Sequence, residues 1–488
     1  MLKEELSRMK KLFSELPLHS KIQEALAQIG YEVMTPVQEQ VVEKMLHEKK
    51  DLIVQAKTGS GKTLAFSLPL VELVEWEENK PQALILAPTR ELAEQIKEEI
   101  LTIGRYKRIH PVAVYGKQAF RYQQTQLKQK THIVVGTPGR MLDHLEKGTL
   151  SVEKLKYVVI DEADEMFNKG FIEQVEAILT LLPKEKVMTL FSATMPEEIK
   201  VLAEKYMQHP EVIQVESQLT PKQITHQVLE VEHHDKYETL VDILTVENPS
   251  SSIIFCATKE RVNELCSDLY DLGLNVDKLQ GDMNQEDRLE VMEDFKRGLF
   301  RYLIATDVAA RGIDVDNIPL IINYDIPYEK NAYVHRTGRT GRYDREGKAI
   351  TFATPKQQYV VSEIEEYVGF ELSPISAPTR EEVEMNKEAF LQSHQEKLKA
   401  KKLKADTVNE SIMKLYFNGG KKKKLRAVDF VGTICTIDDI TADDIGIITI
   451  LDTCSYVEIL NNKGNKALSE LKNKTIKGKQ LKVHIAKK

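Results

Sequence analysis

The stretch Tyr157-Val158-Val159-Ile160-Asp161-Glu162-Ala163-Asp164 constrains the fold of this chain more than any other. Four apolar, β-prone residues run straight into carboxylates. Such a continuous apolar run predicts a strand buried on both faces, as in a parallel sheet covered by helices. Sheets of that kind bind ligands outside the carboxyl ends of their strands. Carboxylates emerging there suit a hydrated Mg2+, which takes few protein ligands and keeps its waters. Upstream, strand-like Leu52-Ile53-Val54 leads into Ala56-Lys57-Thr58-Gly59-Ser60-Gly61-Lys62-Thr63. Small residues let backbone N–H groups wrap a phosphate chain. Lys62 supplies a point charge, and the Thr63 hydroxyl reaches a metal.

Further strand-then-helix patterns follow, each strand ending in a polar cluster: Ala83–Leu86, Val112–Tyr115, His132–Val135 and Val187–Phe191. A second series opens at Ser252–Cys256 and continues at Tyr302–Ala305. The expected fold is therefore α/β, with two doubly wound parallel-sheet domains in tandem. A length of 488 residues suggests about three domains at roughly 150 residues each. The reading divides the chain into 1–209, a polar linker 210–223 containing Pro221, a second α/β domain 224–372, a basic tether 373–410 and a small α+β domain 411–488. The tether holds the run Lys397, Lys399, Lys401, Lys402 and Lys404.

Charge is uneven. The chain carries a net −7, yet residues 411–488 hold 15 lysines and arginines against 8 carboxylates. A basic module on an acidic body points to a polyanionic partner, with a merely solvated basic surface as the competing reading. Cys256, Cys266, Cys435 and Cys454 form no Cys-x-x-Cys pair, so neither a zinc site nor a disulfide framework is expected. No stretch approaches the roughly 20 apolar residues of a membrane span, and the charged start lacks a signal peptide's apolar run. A cytoplasmic protein with no membrane partner is expected.

Asp161-Glu162-Ala163-Asp164 is also the signature that names the DEAD-box RNA helicases. The chain resembles that family over residues 10–370 through many motifs in the right order. The resemblance implies two RecA-like domains, ATP and Mg2+ as cofactors, and RNA-stimulated ATP hydrolysis. Asp161 would hold Mg2+ through water together with Thr63, and Glu162 would orient or deprotonate the attacking water. Phe13, Gly30-Tyr31, Thr35-Pro36 and Gln38 resemble the family's Q motif. There the Gln38 amide can read N6 and N7 of adenine while Phe13 stacks on the ring. From the residues alone, Phe13 reads as a core residue and Gln38 as a surface one. The Ala56 that opens the phosphate loop is the family's own choice.

The resemblance carries further roles. Thr89, Arg90, Gly116 and the run Thr137-Pro138-Gly139-Arg140 would contact RNA from the first domain, with Lys117 standing where the family more often has glycine. Thr258, Arg288 and Thr306 would contact it from the second. Asp164 would link to Ser192-Ala193-Thr194, Asp314 would hold the ribose, and His335 would couple nucleotide to RNA. In His335–Arg342 three arginines recur at three-residue spacing, which lets them converge on one triphosphate, because guanidiniums match phosphate oxygens bidentately. Arg339 and Arg342 are the finger candidates. Phosphate loop and carboxylates lie in one domain and the fingers in the other, so catalysis requires closure on ATP. RNA lying across both would then tighten ATP and be tightened by it.

Residues 411–488 read as βαββαβ, which resembles an RNA-recognition fold. Tyr416 and Tyr456 would stack bases, with strand packing as the equal alternative, and Lys421, Lys422 and Arg426 would meet phosphates. A DEAD-box core followed by such a divergent domain resembles the bacterial DbpA/YxiN subfamily. That implies a hairpin of 23S ribosomal RNA in the peptidyl-transferase region as target, and ribosome biogenesis as setting. The competing readings are an ATP-gated RNA clamp without unwinding, a general RNA helicase without ribosomal preference, and a DNA-directed helicase.

Overall fold

The protein is described by a computed structural model covering residues 11–56, 59–215, 223–307, 315, 318–341, 346–396 and 398–486. Lys57, Thr58, Asp314, Arg342 and Lys397, with residues 216–222 of the linker, lie outside the described residues.

Two compact units divide the chain, one of them joining residues up to 215 with Leu403–Lys488. In that unit, strands β1 (Leu52–Gln55), β2 (Ala83–Leu86), β3 (Pro111–Val114), β4 (Ile133–Gly136), β5 (Tyr157–Ile160), β6 (Val187–Ser192) and β7 (Glu211–Gln214) form one sheet. Their order is β3-β4-β2-β5-β6-β1-β7, and every pairing is parallel. Successive side chains on a strand point to opposite faces. Val54, Ala83, Ile85, Val135 and Val159 accordingly enter one apolar core, and Ile53, Leu84, Leu86, Val134, Val158 and Ile160 another. Helices cover both faces, which is why the strands read as unbroken apolar runs. The order places β6 between β1 and β5. The phosphate loop, the Ser192–Thr194 turn and the carboxylates therefore leave three adjacent strand ends.

The second unit repeats the plan with β8 (Ile224–Glu230), β9 (Ser252–Cys256), β10 (Val276–Leu279), β11 (Tyr302–Thr306), β12 (Leu320–Asn323), β13 (Gly347–Ala353) and β14 (Ser373–Ile375). Their order is β10-β11-β9-β12-β13-β8-β14. Part of the stretch read as a tether is built onto this unit. Ser373–Ile375 pairs with β8, and helix Arg380–Gln395 buries Phe390 and His394 against it. His394 Nε2 lies 3.0 Å from the Tyr302 hydroxyl, and its Nδ1 lies 3.0 Å from Asn275 Oδ1. Phe390 and His394 are four residues apart and share one helix face, a patch that the charged composition around them conceals.

The C-terminal domain is a four-stranded antiparallel sheet of β15 (Met413–Phe417), β16 (Ile445–Ile450), β17 (Ser455–Ile459) and β20 (Val483–Ile485), ordered β16-β17-β15-β20. Helices Ala427–Ile434 and Gly464–Leu471 pack Phe430, Ile434, Ala467 and Leu471 onto Leu415, Phe417, Val457 and Ile459. A small hairpin, β18 (Thr475–Ile476) and β19 (Lys479–Gln480), is added to the expected order. It turns on Lys477 and Gly478, both at positive φ.

Candidate nucleotide and RNA site

The phosphate loop ends in a helix that starts at Lys62. Gly61 precedes it at φ +88°, a conformation that side chains resist. A Cβ there would lie 2.5 Å from Gln38 Nε2. That closeness has a purpose. Gln38 Nε2 donates to the Gly61 carbonyl at 3.2 Å, Gln38 Oε1 accepts from the Thr35 amide at 2.8 Å, and the Thr35 hydroxyl donates to the Ser60 carbonyl at 2.8 Å. Gln38 thus clamps the loop in the ligand-free chain. Lys62 is buried, and its Nζ donates to the Ala56 carbonyl at 3.2 Å.

The Phe13 ring is 1% exposed, 6.0 Å from Tyr31, and part of the first unit's core.

Asp161 leaves β5 almost fully buried, and its Oδ1 accepts from the Glu162 amide at 3.0 Å. Burial pushes its carboxyl up to about 7, against the pull of Lys62 and with a push from Glu162. Glu162 itself sits at φ +51°, a left-handed conformation costing a non-glycine residue roughly 1–2 kcal/mol. Strain of this kind persists where the surroundings impose it. Asp164 Oδ2 accepts from the Ala193 amide at 3.1 Å, the Thr194 amide at 2.9 Å and the Thr194 hydroxyl at 3.0 Å. Ser192 Oγ donates to the Thr194 carbonyl at 2.5 Å. The carboxylate motif and the β6 turn are therefore one hydrogen-bonded unit. Among the described residues no cluster of three or more His, Cys, Asp or Glu could hold a metal. Asp161, a buried carboxylate with its charge undercompensated, and the Thr63 hydroxyl fit Mg2+.

The RNA candidates of the first unit lie at neighbouring strand ends. The Thr89 hydroxyl caps helix Arg90–Ile103 by accepting from the Leu92 amide at 3.1 Å. The Arg90 guanidinium lies against Gly116, where a Cβ would be 3.6 Å from Nη2. Thr137 and Pro138 open the helix Pro138–Glu146, with Gly139 exposed. Arg140 Nη1 donates to the Gln118 carbonyl and to Gln123 Oε1, both at 2.8 Å, so it pins the Gly116 loop.

In the second unit, Thr258 caps helix Lys259–Asp271, Arg288 Nη1 donates to the Gln280 carbonyl at 2.9 Å, and Thr306 ends β11 almost buried. Of the arginines in this motif, Arg336 carries a defined ion pair. Arg336 is spent on Asp307, with Nη2 2.6 Å from Oδ2 and Nε on Oδ1. Its Nη1 donates to Asn323 Oδ1 and to the Asp325 carbonyl. Arg339 follows in the turn after the helix and is mostly buried, and His335 precedes Arg336 on that helix, partly exposed.

Sequence reasoning missed Asp307, Asp325 and Lys236. Lys236 Nζ lies 3.0 Å from Asp325 Oδ1, while Asp325 Oδ2 accepts from the Ala257 amide at 3.0 Å and so holds the start of the Thr258 turn. Arg336 stood inside a recognised motif. Its acidic partner, 29 residues upstream, left no local signal.

On the small domain, Tyr416 and Tyr456 pair across β15 and β17 with ring centres 5.6 Å apart, edge to face. His484 lies 4.5 Å from Tyr416. Lys421, Lys422 and Arg426 are exposed, the two lysines in a turn just before helix Ala427–Ile434.

Residues 35–202 match the DEAD/DEAH box helicases, residues 235–344 the helicase conserved C-terminal domain, and residues 414–485 the DbpA RNA binding domain. The ATP-dependent RNA helicase DbpA of Bacillus subtilis (strain 168) is 58% identical over 477 residues, covering 98% of this chain and 99% of that one. The DEAD-box ATP-dependent RNA helicase CshA of Geobacillus kaustophilus is 43% identical over 76% of this chain and 79% of its own. Among solved structures, S. cerevisiae Dbp5 bound to RNA and ADP BeF3 matches at TM-score 0.70 and 31% identity, over 78% of this chain and 100% of that one.

Proposed function

The chain belongs to the DEAD-box helicases, and on that premise we propose that it hydrolyses ATP at the Asp161–Asp164 turn to remodel structured RNA chosen by its C-terminal domain. It is an ATP-dependent RNA helicase of the DbpA type. The observation that carries the reading is the buried Asp161, set between Lys62 and the Asp164–Thr194 hydrogen bonds. Phosphoryl transfer needs little covalent help, so positioning and charge neutralisation do most of the work. Mg2+, when bound beside Asp161 and Thr63, neutralises charge on the phosphates. Lys62 exchanges the Ala56 carbonyl for a phosphate oxygen, as Gly59, Ser60 and Gly61 present their amides. Gln38 exchanges the Gly61 carbonyl for adenine. Glu162 orients the attacking water, Arg339 and Arg342 supply the fingers from the second unit, and Asp314 holds the ribose.

RNA runs over Thr89, Arg90, Gly116 and Thr137–Gly139 on one unit and over Thr258, Arg288 and Thr306 on the other. Asp164 with Ser192 and Thr194, together with His335, couples the two ligands. Lys421, Lys422 and Arg426 take phosphates of the target. The target we infer is a 23S ribosomal RNA hairpin of the peptidyl-transferase region, met in the cytoplasm during large-subunit assembly. Kinship with DbpA over nearly the whole chain supports it.

The test is steady-state ATPase activity at fixed salt, because phosphate contacts make RNA affinity salt-dependent. The panel is single-stranded homopolymer, an arbitrary hairpin and a 23S fragment from the peptidyl-transferase region. Strong activation by the ribosomal fragment alone is expected. Equal activation by all three would leave a general RNA helicase, and stronger activation by DNA of the same sequence would overturn the RNA reading.

A further inference from the structure

The small domain's sheet has two faces. One carries the apolar core, and the other presents Lys414, Tyr416, Tyr456 and Glu458, with Lys414 opposite Glu458 and Tyr416 opposite Tyr456. The second face is the one on which bases would stack. Yet Glu458 is buried, and its partner is on the other domain of the same unit: Glu458 Oε1 lies 3.3 Å from Arg105 Nη2, the two side chains 6% and 11% exposed. Its other oxygen accepts from the Ile447 amide at 3.2 Å. A buried ion pair tolerates its desolvation only where geometry and added hydrogen bonds compensate it.

Other contacts run alongside. Arg108 donates to the Ala442 carbonyl, Lys21 Nζ lies 2.9 Å from Asp443 Oδ1, and Gln129 Oε1 accepts from the Ile450 amide at 3.3 Å. Leu460, one residue past β17, and Val408, in helix Lys404–Asn409, are both buried in the first domain's own apolar core. Charges are complementary. The parallel-sheet domain contributes Lys21, Arg105 and Arg108, and the basic small domain turns Asp443 and Glu458 toward them.

Residues 105 and 108 precede β3, and residue 129 precedes β4, so the contact lies at the amino ends of the strands. Gly116, Thr137 and Asp161 follow the carboxyl ends. From these contacts we infer that the β16 edge of the C-terminal domain, with Glu458 beside it, is a docking surface for the first parallel-sheet domain of the same chain. The inference goes beyond the proposed function and does not depend on which RNA is bound. Docking fixes the RNA-selecting domain to the back of the catalytic sheet. Glu458 is withdrawn from any stacking platform, and Lys421, Lys422 and Arg426 on the connection after β15 are left to meet RNA.

The experiment is hydrogen exchange on the full chain, read at amides 104–110 and 442–450, for wild type, Arg105→Glu, Glu458→Arg and the double swap. Each single reversal should speed exchange at both segments at least tenfold, and the double swap should bring it back toward wild type. Single reversals that exchange like wild type, or a double swap as fast as the singles, would overturn the inference. Should Glu458→Arg fail to fold, Lys21→Glu with Asp443→Lys poses the same question at surface positions and should give the same pattern on a smaller scale; no change would again overturn it. An RNA arm decides between a standing contact and one that RNA displaces. Adding a hairpin RNA at fixed salt should leave exchange at 104–110 within twofold, whereas a tenfold rise would overturn a standing docking surface.

Discussion

The two parallel-sheet units hold their motif residues differently. In the first, side chains bind backbone: Asp164 on the Ala193 and Thr194 amides, Gln38 on the Gly61 carbonyl, Lys62 on the Ala56 carbonyl. In the second, Thr258 and Arg288 also bind backbone, but ion pairs are added: Arg336 with Asp307, and Lys236 with Asp325. Trading a side chain's backbone hydrogen bond for a ligand costs about 0.5–1.5 kcal/mol for a neutral group such as Gln38 and about 1.5–3 kcal/mol for a charged one such as Lys62. Breaking a buried ion pair by removing one partner costs about 3–5 kcal/mol. The first unit is thus built to exchange partners when nucleotide arrives, and the second to hold its loops in one arrangement beforehand.

The largest expected effect tests where the chemistry lies. Glu162→Gln should lower ATP turnover by about 10²–10⁴-fold, the usual worth of a positioned base, with nucleotide affinity kept. Turnover within threefold of wild type would move the water-orienting role elsewhere. Arg336→Ala comes next. It leaves Asp307 without its guanidinium and should cost the second unit about 3–5 kcal/mol in urea denaturation. A loss below about 1 kcal/mol would erase the contrast between the units. Asp164→Asn should weaken coupling by about 1–3 kcal/mol, since an amide cannot replace a carboxylate accepting three hydrogen bonds. The readout is RNA stimulation of the ATPase relative to its RNA-free rate, and unchanged stimulation would detach Asp164 from coupling.

The smallest effect is one of pH. His132 Nδ1 accepts from the His110 amide at 2.9 Å and Nε2 lies 3.0 Å from the Trp76 carbonyl, so the ring is held neutral. Burial drives its pKa down to about 4. A depressed histidine contributes stability that is present above its unfolded pKa near 6.5 and is lost as pH falls toward about 4. Between pH 7 and pH 6 the first unit should lose about half a kcal/mol through this ring. His132→Gln should flatten that slope, and a variant with the wild-type pH profile would remove His132 from the balance.

How much of this was legible follows from how far apart the partners lie. Lys62 follows one apolar run through the phosphate loop and Asp161 ends another, and both strand ends fall on one edge of the sheet. Gln38 was legible as a motif residue. Its hold on Gly61 and the hold of Thr35 on Ser60 were not, because those partners lie 23 and 25 residues along the chain. Phe13 read as a core residue from its own sequence and as a stacking ring from the motif, because both roles ask for the same side chain. Arg336 was legible only as one of three arginines in a motif, because its partner Asp307 lies 29 residues away. Residues 373–395 looked like a charged tether because Phe390 and His394 are few among many charges.

The sequence by itself determined the two parallel sheets, the nucleotide edge of the first and the order of strands in the small domain. These rest on local periodicity and on residues that meet within one strand-to-helix turn. Tertiary structure decided which charges are spent and which remain, and which edge of the small sheet meets the first domain. Those outcomes depend on pairs such as Arg105 with Glu458 and Arg336 with Asp307. Burial makes such a pair strong or costly, and burial is a property of the folded neighbourhood that no single residue carries in its name.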